Sequence, residues 1–163
     1  MATGDTLAVF TPTHNEPTTV NPATLDVRGD HLVLDFDDST DEYAVLSAVL
    51  PRQYKGGGLT VTLIWAATTA TTGNVEWTVR FERLQESADD LDSDSFATAQ
   101  TAIIATASTL GQVKYTEIAF TNSEIDGLLA GERFRLKITR NANGASDTMT
   151  GDAELVAVEL REI

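Results

Sequence analysis

The stretch "GNVEWTVRFERL", residues 73–84, alternates without interruption: Val75, Trp77, Val79 and Phe81 are interleaved with Glu76, Thr78, Arg80 and Glu82. Successive side chains on a strand leave on opposite faces, so this is a strand with one apolar face and one wetted face. An apolar face that large has to be covered by a second layer. Similar runs recur along the chain with turn residues between them: 6–11, 23–29, 31–36, 43–50, 59–67, 74–84, 112–120, 133–141 and 153–162. Threonine, valine and aromatic residues dominate them, as a pleated, half-buried surface requires.

The punctuation between the runs is consistent. Arg28-Gly29-Asp30 separates two short strands, Pro51 stops another, and Gly56-Gly57-Gly58 precedes a long apolar one. Residues 59–67 and 74–84 read as an antiparallel pair joined by "TTATTG". One short helix is expected near 123–130, with Asn122 or Ser123 as its cap and Gly131 as its stop. In "FATAQTAIIATAS" (96–108) alanine favours helix, whereas Ile103, Ile104 and the threonines favour strand; strand or irregular structure is the reading. No repeat, heptad or linker divides the chain.

The expected fold is all-β, a two-sheet antiparallel sandwich of jelly-roll type. Residues 1–22 form an N-terminal arm or first strand, and 23–163 a single sandwich domain. The predicted core contains Trp65, Val75, Trp77, Val79, Phe81, Phe134, Leu136 and Ile138. In the arm, Leu7, Val9 and Phe10 make up one apolar run. They are candidate assembly contacts, docking as a strand on their own sheet or on a neighbouring subunit.

Composition narrows the function. A hydrophobic content of 42% is that of a globular chain. No run approaches the ~20 apolar residues of a membrane helix, and the start lacks the basic and apolar regions of a secretory signal. With no cysteine, thiolate metal sites, disulfides and cysteine nucleophiles are excluded. Acids outnumber bases 25 to 11, for a net charge of −14, which disfavours nucleic acid and acidic membranes as partners.

Catalytic motifs are not found. His14 lies in a proline-flanked loop, His31 begins a strand, and no "GxSxG" elbow accompanies either. Acids are numerous enough for glycosidase chemistry, but aromatic residues are only 7% of the chain and both tryptophans occupy core-like strand positions. In "SADDLDSDSF", Asp90, Asp92 and Asp94 have the spacing that opens a calcium loop. Ser95 and Thr101 then stand where that loop needs glycine and glutamate, so a solvated turn is expected, with a looser calcium site as the alternative. "DFDDSTDE" (35–42) is a second acidic turn. Gly56-Gly57-Gly58 beside Lys55 lacks the helix a phosphate site requires. No basic–aromatic surface pattern is evident, and no cofactor is implied.

The segments "LPRQYKGGGLTVTLIWAA", "TGNVEWTVRFERL", "DDLDSDSFATAQT" and "GERFRLKITRNANGASDTMTGDAELVAVELRE" together resemble a family of small β-rich proteins encoded among the virion structural genes of tailed bacteriophages and prophages. The resemblance spans roughly residues 49–162. It implies a non-enzymatic virion component, made in the host cytoplasm and acting on the virion surface. The leading expectation is a capsid decoration (head-stabilising) protein, a trimer whose jelly-roll unit suits the three-fold positions of a capsid lattice, bound to the major capsid protein or another virion protein. The alternative is a host-recognition or carbohydrate-binding module on a tail or head fibre.

Overall fold

The computed structural model describes residues 4–163; Met1–Thr3 of the expected arm lie outside the described residues. The strands in chain order are β1 (Thr6–Phe10), β2 (Thr24–Arg28), β3 (His31–Phe36), β4 (Glu42–Val49), β5 (Leu59–Ala67), β6 (Asn74–Leu84), β7 (Gln100–Ala105), β8 (Lys114–Phe120), β9 (Arg133–Arg140) and β10 (Ala153–Glu162). They form two antiparallel sheets. The larger has the order β2-β3-β10-β5-β8, with β1 also paired to β10; the smaller is β4-β9-β6-β7.

The core lies between the sheets. Trp65 of β5 and Trp77 of β6 meet across it with ring centroids 5.8 Å apart, and Phe36 packs edge-on against Trp77 at 5.0 Å. Phe81 does the same with Phe120 at 5.0 Å. Trp65, Val75, Trp77, Val79, Phe81, Phe134, Leu136 and Ile138 are all fully buried.

β5 and β6 do not pair with each other. β5 lies between β10 and β8, and β6 between β9 and β7. The intervening residues 68–73 carry the chain from one sheet to the other, a separation of about 10 Å. Gly73 ends that crossing at φ 96°, where a Cβ would lie 2.7 Å from the Cα of Met149. An antiparallel pair joined by a short loop was the sequence expectation, but the apolar faces of β5 and β6 oppose each other and so belong to different layers.

β10 organises the larger sheet. One of its edges runs along β5; the other is shared, with β3 on Ala153–Leu155 and β1 on Val158–Arg161. A bulge between Leu155 and Ala157 marks the change of partner. It shifts the inward phase, so Leu155 and Val158 both face the core. β1 therefore docks on its own sheet. Phe10 is buried, Leu7 packs against the core from the side, and Val9 is 58% exposed.

The helix expected near 123–130 is a single 3-10 turn, Asn122–Ile125, capped by Thr121 and closed by the left-handed Asp126. The ambiguous 96–108 segment contributes edge strand β7, which pairs with β6. Arg140, at an inward position of β9, is fully buried. Its guanidinium pairs with Asp147 at 2.8 Å and donates to the carbonyls of Phe36, Met149 and Gly151. This clamp ties the β9–β10 connection to the end of β3.

Candidate functional site: the outer face of the smaller sheet

The outward positions of the smaller sheet are filled by Tyr43 and Val45 on β4, Arg135, Lys137 and Thr139 on β9, and Thr78 and Arg80 on β6. Alternation puts them there, because their neighbours Ala44, Leu136, Ile138 and Val79 face the core. The register then aligns them: Val45 and Arg80 both lie opposite Lys137, and Tyr43 and Thr78 opposite Thr139.

Two walls turn this face into a groove. One is the segment before β2. Glu16 N–H donates to the Val45 carbonyl and Asn15 Oδ1 accepts from Val45 N–H, while farther along Ala23 and Asn21 bond the backbone of Tyr43. Between these anchors residues 17–20 arch away from β4. The other wall is the loop between β6 and β7. Ala97 N–H donates to the Phe81 carbonyl, and the buried Glu82 accepts from Ser95 N–H at 2.6 Å. This holds Asp94 at the groove edge and Phe96 beside Arg135 and Lys137. The resulting cavity is about 540 Å³, lined by Glu16 to Val20, Tyr43, Val45, Asp94, Arg135 and Lys137. A neighbouring depression of about 290 Å³ shares Tyr43 and Lys137 and extends to Asp41, Thr78, Arg80 and Asn141.

The floor is cationic and aromatic. The Lys137 ammonium lies 4.4 Å from the Tyr43 ring centroid and 5.5 Å from that of Phe96, and the Arg135 guanidinium lies 4.9 Å from Phe96. Arg135 also pairs with Asp94 at 2.9 Å and with Glu82 at 3.1 Å. Burial, then the nearby Arg80 charge, lowers the Lys137 pKa from its ordinary value. This basic–aromatic cluster was missed in the sequence because Tyr43, Phe96 and Lys137 come from three distant segments that only the register brings together. The one visible trace was the basic outward series Arg133, Arg135, Lys137 along β9.

The acidic loop does not gather a cation site. Asp90 accepts from the backbone of Asp92, whereas Asp94 turns to Arg135. Among the described residues no group of three or more carboxylate or imidazole side chains is placed to hold a metal. His14 Nδ1 accepts from Thr11 N–H in a local turn. His31 borders a separate depression of about 350 Å³ on the outer face of the larger sheet, beside the Arg28–Glu154 pair. Trp65 and Trp77 lie in the core, so neither offers a surface platform.

No family model matches the chain, and no curated protein matches it in sequence. Solved structures do match in shape. A family 35 carbohydrate binding module from an environmental isolate superposes with a TM-score of 0.57 at 13% identity, over 94% of this chain and 92% of that one. The fold is that of the jelly-roll carbohydrate-binding modules. A module of Cellvibrio mixtus lichenase 5A, solved with cellotriose, gives a TM-score of 0.54 at 11% identity over 98% and 99% of the two chains. The CBM22-1 xylan-binding domain of Paenibacillus barcinonensis Xyn10C gives 0.52 at 12% identity over 99% and 96%. These structures are carbohydrate-binding modules, not phage proteins.

Proposed function

We propose that this protein is a non-catalytic carbohydrate-recognition module that takes an oligosaccharide along the outer face of β4, β9 and β6. The observation that carries the reading is the walled groove of about 540 Å³ and its contiguous depression on that face. Tyr43 supplies ring surface, and Thr78, Thr139 and Asn141 supply hydroxyl and amide partners for sugar hydroxyls. The sandwich shared with carbohydrate-binding modules supports the reading at the level of fold.

The groove carboxylates are engaged in structural contacts. Glu16 accepts from Ser47, Asp94 pairs with Arg135, and Asp41 accepts from Asn143. The carboxyls whose pKa is raised, Asp35, Glu42 and Asp152, do not line it. That arrangement favours binding over hydrolysis. The sequence resemblance to virion proteins gives the module a setting, a particle surface that meets host glycans. No described surface argues for the capsid-decoration role or a trimer over this one.

A glycan array probed with the purified chain and with Tyr43→Ala tests the proposal. The chain is expected to retain a subset of saccharides and the variant to lose them while melting at the same temperature. Failure of every saccharide to bind, or identical retention by Tyr43→Ala, overturns it.

A further inference from the structure

We infer that the saccharide carries a single anionic substituent, a carboxylate or sulfate, that sits between Lys137 and Arg80. This rests on the groove being the glycan site.

The first argument is pairing. The outer face of the smaller sheet holds Arg80, Arg133, Arg135 and Lys137. Arg133 has Glu16 at 3.8 Å, and Arg135 has Asp94 and Glu82. Among the described residues neither Arg80 nor Lys137 has a carboxylate within ion-pair distance, although acids outnumber bases 25 to 11 in this chain. Register places the two cations directly opposite each other on β6 and β9. Like charges in that position destabilise a sheet, so the pair is a local cost that the fold alone does not require.

The second argument is chemical. Lysine and arginine are donors with no acceptor, whereas a neutral sugar hydroxyl both donates and accepts. A floor made of Arg80, Lys137 and Arg135 suits an acceptor-only group. The pair also lies where the two depressions meet, since Lys137 lines both and Arg80 the smaller one. A chain held by hydroxyl contacts on either side would place one substituent there.

The third argument limits the class. The molecule as a whole carries −14, so it repels a polyanion approaching from beyond the screening length of about 8 Å at physiological salt. An isolated acid on a neutral backbone experiences mainly the local cations. The ligand is therefore a sparsely charged glycan and not a polyuronate.

Isothermal titration with a neutral oligosaccharide bearing one glucuronate, the same compound with its carboxyl reduced to the alcohol, a monosulfated counterpart and polygalacturonate separates the possibilities. The glucuronate or sulfate form should bind at least tenfold tighter than the reduced form, and whichever is tighter identifies the source of the anion. Lys137→Gln and Arg80→Gln should each shrink that ratio, and the double variant should abolish it without a fall in melting temperature. Equal affinity for the charged and reduced forms overturns this inference and leaves the groove reading intact. Tighter binding of polygalacturonate overturns the single-charge assignment. Absence of binding to every saccharide overturns both readings.

Discussion

Trp65 and Trp77 meet edge to face, yet their indole N–H groups have different fates. Trp65 Nε1 donates to Thr116 Oγ1 at 2.9 Å, whereas Trp77 Nε1 is buried with no hydrogen-bond partner among the described residues. Trp65→Phe should therefore strip a buried hydroxyl of its donor, adding about 1–3 kcal/mol to the loss of volume. Trp77→Phe removes an orphan donor and should cost less, although Trp77→Ala should still cost about 3–5 kcal/mol. Urea unfolding of the three variants checks the order; equal losses for the two phenylalanine variants would show that the Thr116 bond contributes nothing. Asp35 gives a pH prediction. Burial first, then Glu154, Asp152 and Asp26, push its pKa from 3.8 to about 6. The folded state thus holds this proton more tightly than the unfolded one, so this contribution is present at low pH and is lost as pH rises through about 6. Asp35→Asn should raise the urea midpoint at neutral pH, with the gain shrinking toward pH ~4. A variant less stable than the wild type at neutral pH would contradict this.

At the scale of elements, the Arg140 clamp has the clearest consequence. Arg140→Met leaves Asp147 as a buried charge without its cation, a loss of about 3–5 kcal/mol. Pairing it with Asp147→Asn should restore part of that stability. Amide exchange over residues 141–152 should accelerate most in the single variant, and a loss below about 1 kcal/mol would show that the clamp is dispensable. Arg140 also marks a limit of the sequence reading. In "RFRLKITR" it falls on the phase of Phe134, Leu136 and Ile138, yet only those three apolar residues were expected in the core, and the buried charge beside them emerges from the structure. The limits of β3, β5 and β10 were readable, since each is an apolar run closed by turn residues. The pairing of β5 was not, because the choice between β6 and the distant β8 and β10 depends on which layer each strand covers. The groove was legible only in fragments. Alternation shows that Arg135 and Lys137 share a face, but nothing local shows that Tyr43 and Phe96 join them.

For the whole molecule, the charge distribution sets one expectation. A chain with net charge −14 that sets the unpaired Arg80 and Lys137 side by side on one sheet face should orient that face toward an acidic target and its acidic surfaces away from it. Topology sets another. From β3 onward every connection except β6–β7 passes between the sheets, so most pairings join distant parts of the sequence and folding should be slow for a chain of this length. The partner-sharing strand β10 is the last of the ten to leave the ribosome. Before it arrives, the larger sheet consists of a β2–β3 hairpin, a β5–β8 pair and an unattached β1, while all four strands of the smaller sheet are already available. The protein is thus divided by its own connectivity into a scaffold and a keystone. A fragment ending near residue 150 should remain open, with its apolar interior accessible to a fluorescent dye, and a synthetic peptide of residues 151–163 should close it in trans. Recovery of Trp65 and Trp77 fluorescence on adding the peptide would make the molecule a two-piece reporter of its own assembly.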